Sequence, residues 1–246
     1  MKVMVLGHRG MLGDCVTRYF KLQGHDVTVV GPAYPTEEFK AIVRDYNGDA
    51  IVNCIGSIHQ KTDSFQVNMT LPFWLENNSV CHILYPGTDC DHDDTEYGIS
   101  KRIATDWIES YAVRTKVIRT SIVGFDHEGK SLLSWVLTQD DSCINGYTDY
   151  MWNGVTTLKW AQYAEWVLKN WYSVPTKINL MSESVIPKCE LVRQICIAFH
   201  KELEVIPFDR GLNEDKSLKG YNTGPIDAQL RELKRFYDAN HLPTSL

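Results

Sequence analysis

The first half of the chain alternates short apolar runs with longer amphipathic stretches. The apolar runs predict strands at residues 1–6, 26–30, 50–55, 81–85 and 115–119. Helical spacing between them predicts helices at 14–22, 32–46, 65–77 and 97–111, with Thr36 as an N-cap and Pro72 as a kink or restart. Strands separated by helices indicate parallel βαβ units. We therefore expect an α/β fold with a Rossmann-type, doubly wound parallel sheet.

The pattern changes after Gly124, where residues 125–154 are rich in polar and turn-forming residues. Helical spacing returns at 132–138, 158–171, 188–201 and 226–240, and short strands are expected at 178–180 and 205–207. We divide the chain into a Rossmann domain at 1–124 and a smaller, interwoven lobe at 125–246. The helix at 158–171 and the strand at 178–180 are expected to return to the Rossmann core.

Composition and charge exclude several classes of protein. The 246 residues carry a net charge of -6, which argues against nucleic acid as the main partner, because binding phosphates requires a basic face. Seven cysteines without a C-x-x-C pair match neither a disulfide framework nor a zinc site. No charged and then apolar leader precedes the first strand, and no apolar run reaches membrane-spanning length. We expect a soluble, cytoplasmic protein with reduced thiols and no membrane partner.

A glycine-rich turn, Gly7-His8-Arg9-Gly10-Met11-Leu12-Gly13, follows the first strand and leads into a helix. One glycine permits the tight turn, a second lets the backbone approach a pyrophosphate, and a third lets helix and strand pack closely. The N-terminus of the helix then presents backbone N–H groups to the phosphates. The turn therefore predicts a dinucleotide site.

A second segment, Tyr97-Gly98-Ile99-Ser100-Lys101, carries candidate chemistry. Tyr97 and Lys101 are four residues apart, so they lie on one face of a helix. An ammonium group near a phenol favours its ionised form and lowers its pKa. Such a phenol can donate a proton to the oxygen of a ketone during its reduction. Thr88, which follows the strand at 81–85, offers a hydroxyl to hold that ketone.

Eight segments taken in order resemble the extended short-chain dehydrogenase/reductases, specifically the dTDP-4-dehydrorhamnose reductase group. The turn at 7–13 is also similar to that of GDP-fucose synthases, which are NADPH-dependent epimerase/reductases. The matching segments are 7–13, 49–54, Val67-Asn68, 87–89, 97–101, 118–121, 153–157 and 188–191. They are spread in the right order over most of the chain, which makes the resemblance more specific than any single motif.

The resemblance implies a reductase of a nucleotide-activated 4-keto-6-deoxy sugar, with dTDP-4-dehydrorhamnose as the first candidate substrate. Tyr97 would donate the proton, Lys101 would bind the nicotinamide ribose and lower the pKa of Tyr97, and Thr88 would polarise the C4 carbonyl. The implied cofactor contacts are Gly7, His8, Arg9, Gly10, Met11, Leu12, Cys54, Ile55, Gly56, Tyr97 and Lys101. The implied substrate contacts are Thr88, Asp89, Ser121, Ile122, Trp152 and Asn153. A homodimer through the helices at 65–77 and 97–111 is also implied.

The residues themselves favour NADP(H) over NAD. NAD sites usually place an acidic residue after the second strand to bind the ribose 2′-hydroxyl. Here that strand ends Val29-Val30-Gly31-Pro32, without an acid. Arg9 can instead pair a 2′-phosphate through its guanidinium fork.

The sequence departs from the family pattern at three places. Only residues 89–96 separate Thr88 from Tyr97, so the family's long loop over the nicotinamide is missing. The region after the second strand is short, and Ile122 stands where rhamnose-type reductases carry a tryptophan that stacks on substrate. The acidic run at 89–96 resembles a metal site, but we expect its acids to be solvated and to bind no metal.

Two alternatives remain open at this point. The first is a nucleotide-sugar epimerase or combined epimerase/reductase, which the turn does not distinguish from a reductase. The second is a non-catalytic NADP-binding subunit of the same fold, similar to the beta subunit of methionine adenosyltransferase. The missing loop favours the second alternative, whereas the presence of Thr88, Tyr97 and Lys101 together counts against it.

Overall fold

The computed structural model describes residues 1–59, 62 and 64–239. The chain divides into two compact units. The first unit comprises Met1–Arg119 and Ala161–Ile178, and the second comprises Thr120–Trp160 and Asn179–Leu246. The segment that returns to the first unit begins inside a helix (Thr157–Lys169) and ends inside a strand (Lys177–Met181). Neither unit is therefore one continuous stretch of sequence.

The first unit alternates strands and helices as far as Arg119. Its elements are β1 (Lys2–Leu6), α1 (Met11–Leu22), β2 (Asp26–Val29), α2 (Glu37–Arg44), β3 (Ala50–Asn53), α3 (Val67–Asn78), β4 (His82–Gly87), α4 (Glu96–Tyr111) and β5 (Thr115–Arg119). A short 3-10 turn at Asp89–His92 joins β4 to α4.

The second unit contains shorter elements, several of them strands of two or three residues. In chain order, with the two boundary elements α6 and β10 included, they are β6 (Ile122–Val123), α5 (Leu132–Leu137), β7 (Cys143–Tyr147), β8 (Tyr150–Trp152), β9 (Val155–Thr156), α6 (Thr157–Lys169), β10 (Lys177–Met181), β11 (Ile186–Pro187), α7 (Lys188–Phe199), β12 (Glu204–Phe208), β13 (Glu214–Asp215), β14 (Tyr221–Asn222) and α8 (Ile226–Ala239). Residue 240, which ends the predicted last helix, lies outside the described residues.

The predicted doubly wound parallel sheet is confirmed. Seven strands form one sheet in the order β14-β10-β5-β4-β3-β1-β2. The chain moves from β1 to β2 in one direction and then returns past β1 to β3, which makes β1 and β3 the point where the strand order reverses. Right-handed crossovers then place α1 on one face of the sheet and α2, α3 and α4 on the other. Ligands of such sheets bind beyond the carboxyl ends of the two strands at the reversal.

Buried apolar residues hold the helices on the second face. Met4, Leu6, Ile51 and Ile83 of the sheet pack with a group of apolar residues from α2 and α3. Those helix residues are Phe39, Val43, Leu71 and Leu75, and all four are fully buried. The core therefore fixes the carboxyl ends of β1 and β3, where the candidate dinucleotide turn begins.

Pro72 does not restart α3, because one helix runs from Val67 to Asn78 with Pro72 inside it. A proline inside a helix lacks the N–H that would bond the carbonyl four residues earlier, here that of Asn68. The Tyr85 hydroxyl donates to this Asn68 carbonyl at 3.2 Å. A side chain of β4 thus satisfies the acceptor that Pro72 leaves, and the helix stays intact.

Within the residues that the structure describes, none of the helices combines the length and the apolar character needed to span a bilayer.

Candidate functional site

The turn after β1 has the geometry that its glycines predict. Gly7 adopts a φ of +76°, and a Cβ atom there would lie 2.9 Å from the backbone carbon of Cys54. A Cβ atom on Gly13 would lie 2.1 Å from the Gly7 carbonyl oxygen. Any side chain at these two positions would separate the turn from β3 or from α1. The two glycines therefore keep the turn closely packed at the reversal point of the sheet.

An open groove of about 270 Å³ lies against this turn. Its lining comes from the turn, from the end of β2 and from the end of β3: Gly7, His8, Arg9, Gly10, Val30, Gly31, Pro32, Ala33, Cys54, Ile55 and Gly56. It contains seven of the predicted cofactor residues, namely Gly7, His8, Arg9, Gly10, Cys54, Ile55 and Gly56. The sequence did not predict a contact at Ala33. It lies directly after Val29-Val30-Gly31-Pro32, whose lack of an acid was the reason for preferring NADP(H).

The groove suits a dinucleotide phosphate chemically. Its floor is backbone from glycine positions, which lets phosphate oxygens approach N–H groups. Arg9 is exposed at the groove, and among residues 1–59, 62 and 64–239 no carboxylate lines it. The predicted contacts Met11 and Leu12 form the first turn of α1 and do not line the groove, and Leu12 is buried.

Thr88 and Tyr97 come together at the end of β4. The Thr88 side chain lies beside the Tyr97 hydroxyl and acts on its pKa. Thr88 is buried, its hydroxyl donates to Asp89 Oδ1 at 3.2 Å, and its oxygen accepts the Cys90 N–H at 3.2 Å. Two hydroxyl groups therefore lie next to each other at the carboxyl end of a central strand, as the sequence predicts.

Lys101 lies on the same helix, in a buried position. Its ammonium donates to the Pro86 carbonyl at 2.6 Å and lies 4.1 Å from the centre of the Tyr85 ring. Burial lowers the pKa of Lys101 to about 7, although the negative charge of Asp91 opposes this change. The ammonium is thus poised to titrate in the neutral range.

The expected lowering of the Tyr97 pKa is not found. Burial raises the pKa of Tyr97, and the neighbouring Thr88 side chain opposes this rise only in part. The nearby charges of Asp89 and Asp91 raise it further. The physical reason is that desolvation of a buried phenolate outweighs the favourable contacts around it. Tyr97 consequently holds its proton firmly at neutral pH.

The short segment between Thr88 and Tyr97 folds as a compact turn that is capped at both ends. Thr88 caps the 3-10 turn, and Thr95 caps α4 by accepting the Gly98 N–H at 3.1 Å. A Cβ atom on Gly98 would lie 2.4 Å from the Cys90 carbonyl oxygen. Gly98 therefore allows the turn to lie directly against the first turn of α4.

The acidic run in this turn is only partly solvated. Our expectation that its acids are solvated was therefore wrong for Asp89 and Asp91. Asp89 and Asp91 are buried, whereas the side chain of Asp94 is 99% exposed. Asp91 forms an ion pair with Arg119, which neutralises it inside the protein. Among residues 1–59, 62 and 64–239, no group of three or more His, Cys, Asp or Glu side chains is arranged to hold a metal ion.

Two aromatic residues, His59 and Phe65, and Asn68 contact the site. No pattern in the sequence pointed to His59 or Phe65, and Asn68 appeared only in a segment that carries the family resemblance. The rings of His59 and Phe65 lie 5.8 Å and 6.0 Å from the ring of Tyr97. Asn68 donates from Nδ2 to the Ser57 carbonyl at 3.1 Å and to Ser100 Oγ at 3.0 Å. The segment after β3 therefore packs against Tyr97 and is tied to α4.

The predicted substrate contacts of the second half are largely occupied by internal interactions. Asn153 is buried, and its amide both donates to the Leu218 carbonyl and accepts the Leu218 N–H, each at 2.8 Å. Trp152 is buried as well. Ser121 and Ile122 are half-buried, and the Ser121 carbonyl accepts the Val155 N–H at 2.9 Å. In the second unit, Asn153 and Trp152 thus serve packing.

No protein-family model matches the chain, and no curated protein sequence matches it significantly. Solved structures do resemble it. A dTDP-4-dehydrorhamnose reductase from Clostridium acetobutylicum is 12% identical with a TM-score of 0.74, over 97% of this chain and 100% of that one. The Bacillus anthracis dTDP-4-dehydrorhamnose reductase in complex with NADP is 14% identical with a TM-score of 0.74, over 97% of this chain and 100% of the other.

A UDP-N-acetylglucosamine 4-epimerase from Bacillus cereus is 17% identical with a TM-score of 0.73, over 100% of this chain and 99% of that one. At such identities the similarity establishes a shared fold. The resemblance to the dTDP-4-dehydrorhamnose reductase group is therefore confirmed at the level of the fold, across almost the whole chain.

Proposed function

We propose that this chain is an NADP(H)-dependent oxidoreductase that reduces the keto group of a nucleotide-activated 4-keto-6-deoxy sugar, with dTDP-4-dehydrorhamnose as the first candidate substrate. The observation that carries the proposal is the pair of side chains Thr88 and Tyr97, which lie beside each other after β4. In the same unit, the glycine groove lies at the ends of β1 and β3, the second of which pairs with β4. The shared fold with reductases of this substrate class supports it.

The groove residues Gly7, His8, Arg9, Gly10, Cys54, Ile55 and Gly56 would hold the cofactor, with Met11 and Leu12 at the N-terminus of α1 and Tyr97 and Lys101 at the ribose. Bound NADPH supplies the two-electron reducing equivalent that the carbonyl carbon requires. Arg9 favours the 2′-phosphate form, since its guanidinium matches a phosphate and none of the described residues that line the groove is a carboxylate. The NADP found in the B. anthracis structure supports the same choice.

The chain's own residues would supply the proton and the orientation. Reduction of a ketone to an alcohol adds one proton to the carbonyl oxygen, and Tyr97 is the donor next to Thr88. Its raised pKa keeps the phenol protonated until charge develops on that oxygen. Thr88 holds the carbonyl oxygen. The buried ammonium of Lys101 favours negative charge on nearby oxygen atoms.

In the first unit, the nucleotide-sugar substrate would meet Thr88 and Asp89. In the second unit, the half-buried Ser121 and Ile122 remain our candidates for substrate contacts, and Trp152 and Asn153 are buried. We keep a cytoplasmic location as part of the proposal, because no disulfide joins the seven cysteines, all of which lie within the described residues, as is usual in a reducing compartment.

A homodimer is proposed through the outer face of α3 and α4. Ile103, Trp107 and Tyr111 recur every four residues on α4, so they share one face. Ile103 is 44% exposed and Tyr111 is 71% exposed. The ring of Trp107 lies 4.5 Å from that of Phe73 on α3, which continues the apolar surface. A second copy would bury this surface against itself.

The substitution Tyr97→Phe tests the proposal directly. We expect NADPH binding, followed by fluorescence titration, to persist in the wild type and the variant, with weaker binding of NADH. Reduction of dTDP-, UDP- and GDP-4-keto-6-deoxy sugars, followed by loss of absorbance of NADPH, should fall by about 10²- to 10⁴-fold in Tyr97→Phe because the proton donor is gone. Tyr172→Phe is the matched control, since Tyr172 is 94% exposed and lies outside the site.

The fold shared with a sugar-nucleotide 4-epimerase supports a second candidate function. An epimerase inverts the configuration at one carbon of the sugar without net consumption of NADPH. A reductase consumes one equivalent of NADPH for each molecule of product formed. Stoichiometric consumption would exclude the epimerase. Tight NADPH binding without turnover of any of these sugars would instead identify a non-catalytic binding subunit.

A further inference from the structure

A buried ion pair lies beside the turn that carries Thr88. Arg119 ends β5 and Asp91 belongs to the 3-10 turn, and their side chains are only 7% and 8% exposed. Arg119 Nε donates to Asp91 Oδ2 at 2.7 Å, and Nη2 donates to Asp91 Oδ1. The same Nε also donates to the Thr88 carbonyl oxygen at 3.0 Å. One guanidinium group thus holds both the carboxylate and the backbone of Thr88.

Stability alone does not account for this pair. Removing two charges from water costs several kcal/mol per ion, so a buried pair is often no more stabilising than apolar residues of the same volume. The pair can instead fix the geometry of the turn, because a planar guanidinium binds a carboxylate through two parallel hydrogen bonds and leaves the carboxylate little freedom of orientation. The turn between β4 and α4 is short, and this pair anchors it to the neighbouring strand.

We propose that Asp91 and Arg119 are positioning residues for the reduction, and that their ion pair fixes the end of β4 so that the Thr88 and Tyr97 side chains stay beside each other. This inference rests on the proposed function.

Charged and titratable groups face Asp91 from three elements and from its own turn. They are Arg119 of β5, Tyr97, Lys101 and Arg102 of α4, Tyr85 of β4, and Asp89 and His92 of the turn. Arg102 binds the Asp91 backbone carbonyl at 3.1 Å, and His92, 80% exposed, lies 3.8 Å from Asp91 Oδ1. The charge of Asp91 raises the pKa of Lys101 against burial. Lys101, with a pKa of about 7, is the group through which this charge acts near neutrality.

The first test is Asp91→Asn, with Asp94→Asn as its control on the same turn. We expect kcat for keto-sugar reduction to fall by about 10²-fold, since misplaced reacting groups cost that much, while KM for the nucleotide sugar changes little. Activity should decline with rising pH as the Lys101 ammonium loses its proton. In Asp91→Asn this decline should begin at lower pH, and in Asp94→Asn it should match the wild type.

The second test separates position from charge. Arg119→Lys keeps the positive charge but loses the guanidinium fork, so kcat should fall while the pH of the decline stays near that of the wild type. The double variant Asp91→Asn/Arg119→Gln removes both buried charges together, which avoids an unpaired ion in the interior. It should fold and show both the low kcat and the shifted decline.

Two results would overturn the inference. One is wild-type kcat in Asp91→Asn or in Arg119→Lys. The other is a loss of activity in Asp91→Asn and in the double variant with the pH of the decline unmoved, which would reduce the pair to a structural role.

A failure of the proposed function is recognised separately, by the absence of NADPH binding and of sugar reduction in the wild type. The pH dependence of unfolding then decides the role of Asp91 without any cofactor. Folded stability should begin to rise with pH at a lower value in Asp91→Asn than in the wild type, because the pKa of Lys101 falls further. Superimposable curves would show that the charge of Asp91 does not act on Lys101.

Discussion

At the scale of single residues, the site is governed by burial. Lys101 and Tyr97 share a helix face, yet each is shifted against its own charged form: burial lowers the pKa of Lys101 and raises that of Tyr97. Desolvation acts on each group separately and disfavours an ammonium and a phenolate alike. Proton donation requires a protonated Tyr97 and a charged Lys101. Both conditions hold up to neutral pH, where Lys101 begins to lose its charge.

The stability of the protein should record this shift. Between its folded pKa of about 7 and its ordinary value of 10.5, Lys101 binds fewer protons when folded than when unfolded. The free energy of unfolding should therefore rise with pH across this window, by up to about 1.4 kcal/mol per pH unit from this group. Lys101→Met, an uncharged side chain of similar size, should lose that contribution.

Urea denaturation of the wild type and of Lys101→Met at a series of pH values measures the difference in slope. The other titrating groups are common to both proteins and cancel in the comparison. Parallel curves for the two proteins would show that Lys101 is not the group that titrates.

At the scale of elements, the chain's pattern predicts what is local and misses what is long-range. The strand β5 and the N-cap Thr36 follow from apolar runs and capping residues, so both were predicted correctly. The strands of two or three residues in the second unit carry too few positions for a periodic signal. The continuation of α3 through Pro72 depends on Tyr85, thirteen positions later in the chain, and no local rule reveals it.

The same distinction holds for the candidate site. The glycine turn and the spacing of Tyr97 and Lys101 are local patterns, and the sequence predicted where they would lie. The pairing of Asp91 with Arg119 joins residues 28 positions apart. Acids on a short loop are usually solvated, and only the tertiary structure shows that Arg119 reaches this one.

The close packing of α1 on the turn leads to a prediction about Gly13. In Gly13→Ala the new Cβ atom would meet the Gly7 carbonyl oxygen at 2.1 Å, and backbone cannot give way cheaply. We expect a loss of about 3 kcal/mol of stability and loss of NADPH binding. Gly31→Ala is the control for folding, because a Cβ atom there meets nothing within 4 Å. Chemical denaturation of both variants tests this, and equal stability of the two would contradict it.

At the scale of the whole molecule, the proposed homodimer is the property most open to measurement. Ile103→Glu places a charge in the middle of the α3 and α4 surface, where a second copy would have to bury it. We expect the wild type to elute with the mass of a dimer in size-exclusion chromatography with light scattering, and the variant as a monomer. Ile197→Glu, at a position on α7 that is 71% exposed, should leave the mass unchanged. A monomeric wild type would exclude the dimer.

The discontinuity of the first unit has a consequence for how the protein is made. Its last part, Ala161–Ile178, includes Glu165. The Glu165 Oε2 atom accepts a hydrogen bond from the Tyr19 hydroxyl at 2.8 Å, and its Oε1 atom lies 2.7 Å from His25 Nε2. A ribosome that has synthesised only the first 119 residues has not yet delivered the partner of those side chains. A gene product truncated before Ala161 would therefore lack the acceptor of the Tyr19 hydroxyl and the partner of His25 within the first unit.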